Sequence, residues 1–255
     1  MLLAIDVGNT NLTIGLYRGA EIGPHWRLGT DHHRMPDEYG LQLLGLLDHA
    51  GLRLDELEGI VLSSVVPQLT SRLVDSCRRY LKAVPLVIGP DLKTGINILY
   101  HSPASVGPDR IADAAATVRL HGAPAIVVDF GTATTFNAIT ADREYLGGAI
   151  APGILTAADA LTEHTSRLPR IDVAKPPSVI GRNTVHAMQS GMYYGYVALV
   201  EGMLARMKTE LGGGQIKTIA TGGLAELIAQ ETTVFDVIDP WLTLQGLRIL
   251  WEMNR

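Results

Sequence analysis

With one cysteine among 255 residues, the chain cannot form an internal disulfide, and nothing in it asks for an oxidising compartment. Cys77 lies in Asp75-Ser76-Cys77-Arg78-Arg79-Tyr80, a stretch of helical character, and reads as a small apolar filler. Long basic runs are also missing and the formal net charge is -5, so no nucleic-acid partner is expected. No apolar run is long and uninterrupted enough to span a bilayer. The opening Met1-Leu2-Leu3-Ala4-Ile5-Asp6 runs into an acidic, Gly-containing turn without the cationic start of a signal peptide. No membrane partner is expected, and the cytoplasm suits the chain. Gly-x-x-x-x-Gly-Lys-Ser/Thr does not occur, and no Gly-x-Gly-x-x-Gly follows a strand, which disfavours the two commonest nucleotide folds. The eight histidines lack His-x-x-x-His spacing, and His32-His33 reads as a surface pair, so no transition metal is assigned. What remains, 47% hydrophobic and 18% charged residues, fits an ordinary globular protein of one large or two average domains.

An internal echo is the first positive signal. Ala4-Ile5-Asp6-Val7-Gly8-Asn9-Thr10 aligns with Val127-Val128-Asp129-Phe130-Gly131-Thr132-Ala133, about half a chain later. In each copy an apolar strand ends in Asp-x-Gly and a second strand follows, Leu12 to Tyr17 or Thr135 to Ile139, before a polar turn. Each half then carries a further strand, turn and helix: Gly59 to Ser64 before Val65 to Leu81, and Lys217 to Ala220 before Leu224 to Gln230. Arg110 to Leu120 has the alanine-rich composition of a buried helix, and Asn183 to Leu211 reads as one long helix capped by Asn183 or Thr184. The pattern predicts an α/β protein of two duplicated halves facing each other. Their boundary falls near residues 112–123, and we divide the chain as 1–115 and 116–255.

Asp-x-Gly at a strand end suits phosphate chemistry. Gly8 lets the backbone bend, N–H groups with Asn9 and Thr10 can donate to phosphate oxygens, and Asp6 can hold Mg²⁺. A carboxylate facing bare phosphate would only repel it. One such motif can equally be a hairpin whose Asp and Asn fix the turn, but two copies allow a nucleotide to be gripped from both sides of a cleft. In the second copy Thr132, directly after Gly131, is best placed for a phosphate, while Thr134 and Thr135 read as strand residues. Thr221-Gly222-Gly223 allows close approach to adenosine, or is simply a tight strand-to-helix connection.

Together with these motifs, Asp6-Val7-Gly8-Asn9-Thr10-Asn11, Gly107-Pro108-Asp109-Arg110, Asp129 to Thr135, Gly147-Gly148-Ala149-Ile150-Ala151-Pro152-Gly153 and Thr221-Gly222-Gly223 resemble, in order and spacing, the type III pantothenate kinases. The resemblance covers nearly the whole chain. It implies an actin-like (ribonuclease H-like) fold with mixed sheets flanked by helices and an interdomain cleft, and transfer of the ATP γ-phosphoryl group to pantothenate's primary hydroxyl, the first step of coenzyme A biosynthesis. It further implies Mg²⁺, a monovalent cation (K⁺ or NH₄⁺), a cytoplasmic homodimer and weak or absent feedback inhibition by coenzyme A. Carried over, Asp6, Val7, Gly8, Asn9, Thr10, Asn11, Leu12 and Thr13 bind ATP phosphates, Thr132 touches ATP, Asp109 is the general base and Asp129 holds the monovalent cation. Tyr100, Gly107, Pro108, Asp109, Arg110 and Thr184 line the pantothenate site.

The residues themselves fit these roles: Asp109 can accept the hydroxyl proton, and Arg110 can grip a carboxylate with two N–H groups. Pro108-Asp109 is equally a plain helix start, with Asp109 favoured by the dipole. Pro108 replaces a small or aliphatic residue, and Asn137 stands where some family members carry Asp. Gly191, Gly195 and Gly202 on the long helix suit either a dimer interface or close packing within one subunit. Competing readings are another phosphotransferase or phosphohydrolase on the same fold, and a silent homologue acting as a regulator, which would be expected to lack Asp6, Asp109 or Asp129.

Overall fold

A computed structural model describes residues 1–89 and 91–255. The chain divides into two compact units: Met1–Gly95 with His101–Ala116 and Leu242–Arg255, and Ile96–Tyr100 with Thr117–Trp241. The division expected from the sequence cuts once, at 115/116; by internal packing the chain changes unit near that point but also three further times.

In the first unit, β1 (Leu2–Val7), β2 (Asn11–Arg18) and β3 (Glu21–Gly29) form an antiparallel meander, followed by α1 (Pro36–His49). Next come β4 (Gly59–Ser64), α2 (Pro67–Ser76) and the short β5 (Leu86–Val87). β4 pairs parallel with β1, giving the order β3-β2-β1-β4-β5. Period-two alternation sends Leu3, Ile5, Val7, Leu12, Ile14, Leu16, Ile60 and Leu62 to one face. There they meet Tyr39, Leu43 and Leu47 of α1 and Leu69, Leu73 and Cys77 at α2. Cys77 is fully buried and burial pushes its thiol up to about 12, as befits a structural filler. The helix expected over Val65 to Leu81 is two residues shorter at its start, where Pro67 occupies the first turn, and widens into a π turn over Cys77–Leu81.

The chain then lends β6 (Asn97–Ile98) to the second unit and returns with α3 (Pro108–Ala116), which continues as a π turn to His121. The second unit repeats the first plan. β7 (Ala125–Phe130), β8 (Ala133–Ile139) and β9 (Glu144–Pro152) form the meander, and α4 (Ile154–Glu163) and the 27-residue α5 (Thr184–Glu210) follow. Next come β10 (Lys217–Thr221), α6 (Ala225–Ala229) and β11 (Val237–Ile238). The strand order is β11-β10-β7-β8-β9-β6, with β10 parallel to β7. The run β9-β8-β7-β10-β11 thus reproduces β3-β2-β1-β4-β5, as the internal echo predicts. Asn183 caps α5, its Oδ1 accepting from His186 N at 2.8 Å. Ile126, Val128, Phe130 and Phe136 pack against Tyr196, Val197, Val200 and Leu204 of α5.

The last helix, α7 (Leu242–Asn254), goes back to the first unit. It packs along α3, and the pair covers the face of β1 and β4 opposite α1 and α2. No helix among the described residues is long and apolar enough to cross a membrane.

Candidate active site

Asp6 and Asp129 occupy matched positions, next to last in the central strand of their sheets. Each carboxylate-bearing residue is flanked in register by hydroxyl residues on both sides: Thr13 and Ser63 beside Asp6, Thr135 and Thr221 beside Asp129. The turns differ by one residue, since the last pair before the first is Val7–Leu12 and before the second Phe130–Thr134. Gly8 N donates to Asn11 O at 2.9 Å, and Gly131 N to Ala133 O at 3.1 Å.

In the first turn Asn9, Thr10 and Asn11 are exposed, and the turn is braced from β3's end. Thr30 Oγ1 donates to Gly8 O at 2.7 Å and Thr30 N to Thr10 O at 2.9 Å. A Cβ on Gly8 would lie 3.1 Å from Asn11 O, so the position needs closeness to its neighbour strand rather than an unusual φ. Val7 and Leu12 are buried in the core. Of the segment Asp6 to Thr13, these two have only backbone to offer a phosphate, because alternation points their side chains away from Asp6 and Thr13.

In the second turn, Thr132 is held through its carbonyl, which accepts from Gly153 N at 3.0 Å and from Thr156 Oγ1 at 2.8 Å at the start of α4. This brace joins the Asp129 motif to the Gly147 to Gly153 motif. Gly222 adopts φ 90°, and a Cβ there would overlap Asp129 Oδ1 and lie 2.7 Å from Phe130 N. The second Asp-x-Gly therefore packs against the Thr221-Gly222-Gly223 turn, which makes the tight connection from β10 to α6. Asn137 is fully buried, accepts from Tyr145 OH at 2.9 Å and donates to Thr135 Oγ1 at 3.3 Å. A neutral amide can make both bonds there without the cost of a buried charge.

Pro108 stands first in α3, where its missing N–H costs nothing. Asp109 follows, half-buried, with Oδ1 accepting from Arg110 N at 2.8 Å and lying so near Gly107 that a Cβ there would collide with it. Burial raises the Asp109 carboxyl above the usual carboxylate range, outweighing the lowering by the Arg110 N–H and guanidinium. Arg110 is buried. The same Gly107 abuts Val65, two residues beyond Ser63, so α3 begins beside the end of β4. Asp6, Thr13, Ser63 and Asp109 thus share one end and one face of the first sheet. Tyr100, packed on Gly147 and 6.4 Å from the Tyr145 ring, belongs to the second unit, as do Asp129, Thr132 and the exposed Thr184.

Among the described residues no group of three or more His, Cys, Asp or Glu could cage a metal. Mg²⁺ on a nucleotide does not need one: it keeps several waters and takes one or two carboxylates with the substrate's phosphates. Asp6, at the mouth of a polar turn, fits that donor set.

Solved structures of low identity share the fold. A conserved protein assigned to the Baf family of transcriptional activators from Campylobacter jejuni is 20% identical with a TM-score of 0.60, covering 98% of both chains. Component A of (R)-2-hydroxyglutaryl-CoA dehydratase from Acidaminococcus fermentans is 12% identical with a TM-score of 0.57, over 98% of this chain and 95% of that one. A polyphosphate/ATP-glucomannokinase from Arthrobacter is 13% identical with a TM-score of 0.51, over 98% of both chains. These likenesses, with the two helix-flanked mixed sheets, place the chain in the actin-like fold. The family model described as type III pantothenate kinase matches residues 2–206, a span that contains both Asp-x-Gly hairpins and Gly107 to Arg110; the chain belongs to the type III pantothenate kinase family.

Proposed function

We propose that the chain transfers the γ-phosphoryl group of Mg²⁺-bound ATP to the primary hydroxyl of pantothenate, giving 4′-phosphopantothenate and ADP, with Asp109 as the general base. The observation that carries this reading is Asp109 itself: a half-buried carboxylate with a raised proton affinity at the start of α3, sharing a sheet face with Asp6. The pantothenate hydroxyl proton passes to the Asp109 carboxylate. The pantothenate hydroxyl oxygen bonds to the γ-phosphorus, and the bond from that phosphorus to the bridging β-phosphate oxygen breaks, releasing ADP. In such transfers most of the acceleration comes from positioning and charge stabilisation. Backbone N–H groups of Asp6 to Thr13 with Asn9, Thr10, Asn11 and Thr13 side chains bind the phosphates, and Asp6 faces the metal, which supplies charge neutralisation when bound.

Thr132 touches the nucleotide, and Asp129 holds K⁺ or NH₄⁺. Arg110 takes the pantothenate carboxylate, with Tyr100, Gly107, Pro108 and Thr184 lining the acceptor. The active form is a cytoplasmic homodimer. Support for dimerisation comes from α5: Gly191 and Gly195 are exposed and a Cβ on either would meet no atom within 4 Å, so packing within one subunit does not account for them.

Purified protein is incubated with ATP, Mg²⁺ and pantothenate, in potassium and in sodium, and 4′-phosphopantothenate is followed by mass spectrometry. Product that requires K⁺ or NH₄⁺ is expected. Asp109→Asn should lower kcat by roughly 10²–10⁴-fold while ATP binding persists. Folded, ATP-binding protein that phosphorylates other hydroxyl acceptors but not pantothenate would overturn the acceptor assignment, and wild-type turnover by Asp109→Asn would remove that residue from the base role.

A further inference from the structure

Ser63 is fully buried, and its hydroxyl has no hydrogen-bond partner among the described residues. A buried hydroxyl without a partner costs free energy, so its retention calls for an explanation. Thr134, another such hydroxyl, pairs in register with Phe130 beside the second unit's core. Ser63 pairs in register with Asp6 across the parallel β1–β4 ladder. Leu62 before it faces the α1–α2 core, so alternation puts Ser63 on the other face with Asp6 and Thr13. Two residues later Val65 abuts Gly107, where the Gly107 to Arg110 segment enters α3. The hydroxyl therefore lies at the strand end between the Asp6 hairpin and the segment that carries Asp109.

We propose that Ser63 is a positioning residue for Asp6, its hydroxyl donating a hydrogen bond to the Asp6 carboxylate when Mg²⁺·ATP is bound. The inference rests on the phosphate-site reading of the Asp6 hairpin. Carboxylates that face a metal are themselves fixed by hydrogen bonds, and losing such a partner weakens metal binding about 10–100-fold. In the free protein the same hydroxyl is an unmet donor, so removing it costs the fold nothing.

The test uses the full chain and its Ser63→Ala variant, with calorimetric titration of a non-hydrolysable ATP analogue in excess Mg²⁺ and, separately, in EDTA. The Tm of each nucleotide-free protein is measured alongside. The expected result is a Kd about tenfold weaker for the variant in Mg²⁺, little difference in EDTA, and a Tm equal to or above wild type. Equal affinities in Mg²⁺, or weaker binding accompanied by a lowered Tm, would overturn the proposal, the second outcome marking a purely structural hydroxyl. If wild-type protein bound no Mg²⁺·nucleotide, the phosphate-site reading itself would fail, an outcome distinct from failure of Ser63 alone.

Discussion

Asp109 pays for its position in stability, and the pH dependence of that cost is predictable. Burial raises its carboxyl pKa above the ordinary value, so between the two values the folded chain keeps a proton that the unfolded chain has released. The contribution to stability is fully present below the unfolded pKa and is lost as the pH rises through the folded one. Once the pH passes the raised value, the ionised, half-buried group is a net burden. Asp109→Asn removes the charge and keeps an oxygen for the Arg110 N–H. Its Tm at pH 7.5 should exceed that of wild type, with the gap closing as the pH is lowered through the raised value; a lower Tm at pH 7.5 would contradict the sign. Gly222 makes a different demand. At φ 90° any side chain is strained, and a Cβ would overlap Asp129 Oδ1. Gly222→Ala should destabilise by roughly 1–3 kcal/mol and displace the Asp129 carboxylate, so that the K⁺ concentration for half-maximal activity rises; an unchanged potassium dependence would separate Gly222 from the cation role. The carboxylates themselves were legible in sequence because Asp-x-Gly after an apolar run and Pro-Asp before an alanine-rich run are local patterns. Gly222 was legible as a turn glycine, but its contact with Asp129, like the meaning of Ser63, comes only from the β7–β10 and β1–β4 registers, which pair residues far apart in the chain.

Among the elements, the α3–α7 pair decides how firmly Asp109 is held. Gly246 of α7 lies against the Ala112 carbonyl, where a Cβ would collide, and Thr243 Oγ1 donates to the buried Asp113 Oδ1 at 2.7 Å. Gly246→Ala should force the helices apart at a cost of about 1–3 kcal/mol, lowering kcat more than it raises the KM for ATP, since α3 bears the base and the ATP hairpin is on the sheet. A rise in the KM for ATP with kcat unchanged would show that α7 supports the hairpin instead. The sequence announced each helix through its composition and caps: the expected span Arg110 to Leu120 falls within α3 and its π turn, and α5 begins after the Asn183 cap. The widening of two helices into π turns at Cys77–Leu81 and Thr117–His121 left no such mark. Helical periodicity does not distinguish i+4 from i+5 bonding in a last turn, where tertiary packing decides.

At the scale of the whole chain, duplication explains why the sequence revealed the inner strands in matched sets, β1, β2 and β4 against β7, β8 and β10: each half repeats the same strand order around an Asp-bearing central strand, whereas the outer strands β3, β5, β6, β9 and β11 were not expected. It also explains what stayed hidden. An amphipathic C-terminal helix reads as one that must pack, but two sheets of the same plan offer it equivalent faces, and nothing local says that α7 belongs to the first. Its five large buried apolar residues, Leu242, Leu244, Leu247, Ile249 and Leu250, contribute about 1.5–3 kcal/mol each. Their sum, roughly 10 kcal/mol, is comparable to the whole stability of a typical domain. A chain ending at Trp241 should therefore lose the first unit, even though most of that unit precedes residue 117. Hydrogen exchange would show β1 and β4 amides deprotected, whereas β7 and β10, whose core against α5 contains no α7 residue, keep their protection. Persistent protection of β1 and β4 in the shortened chain would mean that α1 and α2 alone suffice to hold the sheet, and that α7 serves only to seat α3.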